Sequence, residues 1–421
     1  LIGQHGPSDL RAGAVSAVIM LPQAVALAAV AGMPPESGIY AAALPVAVAA
    51  VLGRSGRLLS GPNTAVSVMI AAALVPLAAP LSQDYVALAL TLAALVGLFQ
   101  LLLAVGGGGR LLASMPDFVA RGLTLGVGFT LVVSQAAGVF GVLETRGEAP
   151  WLALWYASTA LDRINPACLV VVAASLLAGS VPLKLRGRRV PPLLAALAAG
   201  ALAAVALDLA FGPAVARIDR LGYLGISLLP LSLPKLHWEE WYVLQQLMQS
   251  ALAIAVIGGL QTVVIARSLS PLDEVKRSAR REMLAQGAAN LVAAFCSGFA
   301  GSGSFNRTAA HVQAGARTSA AAVVSVVVLV GLAFAASTPL AYIPVPAVAA
   351  VLILIGAGLM RAELNAARGR GRTQRVALLG MALLVVAVGF VAATFIGVAA
   401  GIGRLAWQGA HSRGAGRGGT G

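Results

Sequence analysis

The chain has 421 residues, 59% of them hydrophobic and 10% charged, and its 29 Lys and Arg outnumber 15 Asp and Glu to give a formal net charge of +14. A water-soluble domain carries about 25% charged residues, so this composition excludes a surface that meets water all round, and a mean hydropathy of +0.89 makes lipid the expected solvent. The basic excess would suggest nucleic acid in a soluble chain, but it falls in loops between apolar runs, so no nucleic-acid partner is expected.

From the N-terminus, apolar runs bounded by Gly, Pro or charge predict membrane segments at about 10–32, 36–53, 63–79, 84–105, 117–142, 166–183 and 190–212. A second set follows at about 246–267, 283–299, 303–314, 317–338, 344–360, 375–392 and 393–408. A spanning helix needs roughly 20 apolar residues, so several of these fourteen runs are too short to cross alone. No cleavable leader is visible before the first run. Between runs, 143–165 and 213–245 hold Trp151, Trp155, Trp238 and Trp241. Trp favours the headgroup layer, so interfacial helices on the outer face are expected there. Cys168 and Cys296 lack metal or disulfide spacing and read as small packing residues.

The third and tenth runs open on Gly/Ser-rich segments, Ser60-Gly61-Pro62-Asn63-Thr64-Ala65 and Ser302-Gly303-Ser304-Phe305-Asn306-Arg307-Thr308-Ala309. Irregular polar backbone at membrane depth is tolerated only inside protein or beside a water-filled cavity. Interrupted segments at matching places in two halves point to a transporter's binding site. The two motifs share Ser-Gly, then Asn, then Thr-Ala. Gln23 and Gln261 sit in apolar runs upstream of them, 40 residues before Asn63 and 45 before Asn306. We read two related halves, 9–212 and 240–408, each of seven segments and therefore inserted with opposite topology, followed by a short basic cytoplasmic tail at 409–421. The tail resembles an RNA-binding Gly-Arg stretch and is read instead as a flexible basic end.

Loops after even-numbered runs hold Arg54, Arg57, Arg110, Lys184, Arg186, Arg188, Arg189, Lys276, Arg277, Arg280, Arg281, Arg317, Arg361, Arg368, Arg370, Arg372 and Arg375. Loops after odd runs are poor in base or balanced by acid. Lys and Arg concentrate on the cytoplasmic side, so both termini are expected there, with the chain multi-pass in the plasma (inner) membrane.

The acids are informative by position, because all fifteen fall in loops or near run ends, Asp208 being nearest to an exception. No carboxylate pair, Ser-His-Asp set, phosphate loop or metal cluster is present in the pattern, so neither enzyme chemistry nor a metal or organic cofactor is expected. His311 could titrate, although a packed neutral ring fits its place as well. Arg307 is the strongest clue: it opens a short run near the expected midplane, and a charge there costs about 2.5–3.5 kcal/mol even on the lenient scale. A helix N-terminus presents unpaired N–H groups and about half a positive charge, and two of them facing each other make an anion site. Thr64 and Ser304 would add hydroxyls, Gln23 and Gln261 amides, and Arg307 net charge. Leu27 and Phe305 would form apolar walls or serve as ordinary core. Arg307 could instead snorkel to water and hold structure.

These residues resemble the sulfate permease family (SulP), the anion transporters to which prestin and pendrin belong. The resemblance rests on Leu21-Pro22-Gln23-Ala24 through Ala31-Gly32-Met33-Pro34-Pro35 and Gly38-Ile39-Tyr40, on Ser60-Gly61-Pro62, and on Gly303-Ser304-Phe305-Asn306-Arg307-Thr308-Ala309 running on to Gly315-Ala316-Arg317-Thr318. It implies an all-α membrane protein of fourteen transmembrane segments in two inverted repeats, with core and gate domains and half-helices 3 and 10. It implies an anion held between the N-termini of those half-helices and reached alternately from each side. By motif position the site takes Gln23 and Leu27 from segment 1, Thr64 and Ala65 from segment 3, Gln261 from segment 8, and Ser304, Phe305, Asn306 and Arg307 from segment 10. It also implies a homodimer. Three departures stand out. Gln261 replaces an acid common in bacterial relatives, which puts cation coupling there in doubt. Asn306 replaces a common Ser. The chain ends soon after the last segment, where relatives usually add a STAS domain. Sulfate is the first expected substrate. Bicarbonate or dicarboxylate transport, a channel-like protein and a nucleobase permease of the same architecture are the alternatives, the last wanting a mid-helix carboxylate that is missing here.

Overall fold

The structure is a computed structural model that describes residues 6–108, 117–141, 159, 164–181, 184–185, 188–189, 192–220, 225–227, 230–234, 241–269, 275–335, 342–389, 392–393, 395–401 and 403. The described chain is helical apart from a hairpin of two-residue strands, β1 (Lys184–Leu185) and β2 (Arg188–Arg189), and an isolated bridge from Arg220 to Pro344. The first half contains α1 (Gly6–Val30), α2 (Pro35–Ala42), α3 (Leu44–Leu52), α4 (Thr64–Leu74), α5 (Gln83–Val105), α6 (Asp117–Ser134), α7 (Ala136–Phe140), α8 (Pro166–Ser180), α9 (Pro192–Phe211) and α10 (Pro213–Ala216). The second contains α11 (Trp241–Leu269), α12 (Val275–Phe295), α13 (Phe305–Gln313), α14 (Ser319–Ala335), α15 (Val345–Arg368) and α16 (Arg372–Val388). Six stretches among the described residues are long and apolar enough to cross a bilayer: Gly6–Val30, Pro35–Leu52, Gln83–Val105, Arg121–Phe140, Trp241–Ala266 and Val345–Arg368.

Several boundaries differ from those the apolar runs predict, each for a local reason. The run at 36–53 is two helices that break at Ala43 (φ −94°, ψ −107°), because Pro45 has no N–H for a continuing helix and its ring crowds the preceding turn. The run at 63–79 yields only α4, which stops two residues before Pro76, because proline has no N–H to extend the helical ladder. Conversely, α12 starts at Val275, well before the apolar run at 283, since Lys and Arg are good helix formers whatever their hydropathy. Trp151, Trp155, Trp238 and the tail at 409–421 lie outside the described residues. Trp241 is the first residue of α11 and is exposed.

The helices pack mainly within two groups. In one, α1 lies on α14, α5 on α12 and α11, α3 on α12, and α13 on α1. In the other, α8 lies on α9 and α15, and α6 lies on α15 and α16. Paired glycines bring helix axes together in each. A Cβ on Gly97 would stand 2.8 Å from Gly287 O, and one on Gly356 would stand 2.8 Å from Gly128 O. Lipid supplies no hydrophobic drive between helices, so close approach at small residues carries the packing.

The two ends of the first group differ in character. At one end Glu282 Oε1 accepts from Arg54 N (2.8 Å) and Ser55 N (2.6 Å), Arg281 Nε donates to Leu52 O (2.9 Å), and Asp9 Oδ1 accepts from Arg317 N (2.8 Å). Those bonds tie the basic turn 53–57 to α12 and the turn 315–318 to the start of α1, and the two turns meet where a Cβ on Gly56 would stand 3.6 Å from Ser319 N. At the far end of α12, Ser232 N donates to Phe295 O (3.0 Å), and Tyr40 Oη donates to Gly225 O (3.1 Å) and accepts from Ser227 N (2.7 Å).

Candidate functional site

Two short helices, α4 and α13, start side by side. At 11 and 9 residues they reach only about 16 and 14 Å, against roughly 30 Å of hydrocarbon. Each has a side-chain cap. Asn63 Oδ1 accepts from Ala65 N (2.9 Å), and Ser304 Oγ accepts from Arg307 N (3.4 Å). The structural counterpart of Asn63 is therefore Ser304, not Asn306, so the shared Ser-Gly, Asn and Thr-Ala letters do not give the register of the two helices. Capping explains the residue types, because Asn and Ser accept from the first orphan N–H groups of a helix.

The loops before the caps bind each other. Ser302 N donates to Gly61 O (3.0 Å), Ser304 N to Leu59 O (3.3 Å), and Asn63 Nδ2 to Gly303 O (3.0 Å). Gly61 adopts φ +118°, a conformation glycine tolerates and side chains resist. A Cβ on Gly301 would run into the carbonyl oxygen of Gly61, so the loops touch backbone to backbone.

A cavity of about 230 Å³ opens in front of them. One wall comes from the first helix group: Gln23 and Leu27 of α1, Pro62, Asn63 and Thr64, and Ser304 and Arg307. The opposite wall is apolar and comes from the second group, with Leu193 of α9 and Leu354, Ile355 and Gly358 of α15. Arg307 is 3% exposed, and among the described residues neither terminal nitrogen of its guanidinium has a hydrogen-bond partner. A buried cation without a partner is costly. This one sits where two helices point their electropositive ends.

Of the nine expected site residues, Gln23, Leu27, Thr64, Ser304 and Arg307 line the cavity. Ala65 is buried behind the cap, and its N–H is taken by Asn63. Gln261 Oε1 accepts from Ser302 Oγ (2.9 Å), which puts it behind the second loop. Phe305 and Asn306 form the first turn of α13, and their side chains lie outside the described residues. His311 is buried one turn beyond Arg307, with Nδ1 2.7 Å from Ser16 Oγ. Asn63 was legible as a polar motif residue but not as the bridge between loops, and nothing in the local pattern singled out the apolar wall.

A model of the Sulfate permease family matches residues 7–383. The chain belongs to the sulfate permease family. A probable sulfate transporter of Mycobacterium tuberculosis is 32% identical over 395 residues, covering 94% of this chain and 68% of that protein. The bicarbonate transporter BicA of a Picosynechococcus species is 26% identical over 394 residues, covering 93% and 68%. Among solved structures, the transmembrane domain of a cyanobacterial bicarbonate transporter superposes with a TM-score of 0.79 at 22% identity, covering 93% of this chain and 97% of that one. The murine Slc26a9 anion transporter in its inward-facing state gives 0.80 at 16% identity, covering 97% and 69%. This sulfate permease family member is thus a multi-pass, helical membrane protein of an anion-transporter family rather than an enzyme, and the structural matches speak to fold alone.

Proposed function

We propose that the chain is a secondary transporter of small inorganic anions, sulfate first, that works by alternating access. The carrying observation is Arg307, a buried guanidinium with unpaired terminal nitrogens at a cavity between the starts of α4 and α13. On this reading the anion sits against Thr64, Ser304 and Arg307, with Gln23 and Leu27 beside it, while Ala65, Phe305, Asn306 and Gln261 shape the surrounding turns. α4 and α13 serve as half-helices of two inverted repeats, 9–212 and 240–408. The group that bears the motifs acts as the core and the group that bears Leu193 and Gly358 as the gate. The placement of the cavity at their boundary supports this, since sliding there would open it to one side and then the other. A homodimer in the plasma membrane with both termini cytoplasmic completes the reading.

Bicarbonate is the second substrate, favoured by the relatives that carry it. A site of helix ends and one guanidinium suits either oxyanion. Uptake of labelled sulfate and of labelled bicarbonate into proteoliposomes, with and without pH or sodium gradients, separates them. Arg307→Ala should fold, since it removes a buried charge without an acidic partner among the described residues, and should lose roughly a hundredfold or more in uptake. Wild-type flux from that variant would overturn the site.

A further inference from the structure

The backbone of Gly301 is held from behind the cavity. Its N–H donates to Asn290 Oδ1 (2.8 Å), and its carbonyl accepts from Asn290 Nδ2 (3.2 Å) and Gln286 Nε2 (3.0 Å). Gln286 Oε1 also accepts from Ser60 Oγ, so one side chain grips both motif loops. Asn290 Nδ2 donates to Gln100 Oε1 (2.9 Å), and Gln100 Nε2 donates to Ala255 O (3.4 Å). On α11, Gln261 accepts from Ser302, and Thr262 Oγ1 accepts from Gly303 N (3.0 Å). Gln100, Gln286 and Asn290 are all buried, and none lines the cavity.

A repeated spacing brings these amides together. Gly97 precedes Gln100, Gly258 precedes Gln261 and Gly287 precedes Asn290, each by three residues on its own helix. A Cβ on Gly287 would stand 2.9 Å from Gly97 O, and one on Gly258 would stand 3.2 Å from Gln100 Nε2. The glycines let the helices touch, and one turn on, the amides meet. Glu282, Gln286 and Asn290 also recur every four residues along α12, which sets them on one face. That face reads the turn at 54–55, then Ser60, then Gly301.

Burying amides costs free energy unless every bond is made, and apolar side chains would fill the same space. What the amides add is a fixed position for Gly301 against Gly61. We infer that Gln286 and Asn290, with Gln100, are positioning residues of the anion site. They set the spacing of the α4 and α13 starts, and with it the place of Arg307, without touching the anion. This rests on the transport reading above.

Gln286→Met keeps the side-chain length and removes the bonds to Ser60 and Gly301. Ser60→Ala cuts only the link to the first loop and is the milder change. In proteoliposomes both should raise the KM for the carried anion, Gln286→Met by roughly tenfold, because small misplacements at a binding site are expensive. The maximal rate per folded protein should stay within about twofold of wild type. A residue that merely stabilised the fold would lower the amount of active protein and leave KM alone. Hydrogen exchange read by mass spectrometry gives a second, substrate-free measure: in Gln286→Met, amides at 299–304 should exchange faster while those at 53–57 do not change. Unchanged KM in both variants, or unchanged exchange at 299–304, overturns the positioning role. If the wild-type protein moves neither sulfate nor bicarbonate, the transport reading fails instead, and the exchange measurement decides the positioning role by itself.

Discussion

Arg307 shows how much a single residue can announce. A cation inside an apolar run has few explanations, so a site was expected there before any fold, and the structure places the residue at the cavity with Gln23, Leu27, Thr64 and Ser304. Gln261 was equally visible as a polar residue in an apolar helix, yet it faces Ser302 behind the loop. A helix that is apolar all round carries no stripe to say which side a lone amide faces. Gly358 had no signal at all, since glycine in a membrane helix is common. It lines the apolar wall, and a Cβ there would meet nothing within 4 Å. Gly358→Leu should therefore fold normally while filling the cavity, and should depress uptake of a tetrahedral or larger anion by roughly tenfold. Uptake equal to wild type would show that the anion sits elsewhere.

At the level of elements, short helices matter through their ends. The Gly/Ser-rich openings of α4 and α13 were readable because polar backbone has no other place in lipid. Their caps were not, because Asn63 and Asn306 match as letters, yet Asn63 caps α4 while Asn306 is the second residue of α13. Asn63 does two jobs: it caps α4 through Oδ1 and ties Gly303 through Nδ2. Asn63→Ala should cost about 1–2 kcal/mol of local stability from the lost cap and bond, seen as earlier thermal melting in detergent. Asn63→Asp keeps the cap oxygen and loses the amide donor, so it should fall between Ala and wild type. If Ala and wild type melt together, the bridge between the loops contributes nothing. The early start of α12 and the break at Ala43 escaped prediction for opposite reasons. Hydropathy ignores helix-forming Lys and Arg, and it passes over a proline inside an apolar run.

Across the whole molecule, the placement of charge is what bears on orientation. Turn 53–57 is held to α12 by Glu282 and Arg281, turn 315–318 to the start of α1 by Asp9, and the two turns, far apart in sequence, meet where Gly56 faces Thr318 and Ser319. Basic turns favour the cytoplasmic side. Cysteines introduced at Arg54 and Arg317 should react with an impermeant thiol reagent only from inside, and one at Trp241 only from outside. Labelling of all three from one side would refute the orientation. Which helices join which packed set was not legible in the residues themselves, because contacts between uniformly apolar faces leave no periodic trace. The contact of Gly61 with Gly301 has a further meaning for how such a protein can diversify. A methyl on Gly301 would run into the Gly61 carbonyl, and one on Gly61, which already holds a positive φ, would press on Val46 and Arg307, so the polar wall is closed to stepwise enlargement by mutation. New solute sizes must be explored on the far wall, where Gly358 has room to spare and Leu193, Leu354 and Ile355 can be trimmed singly.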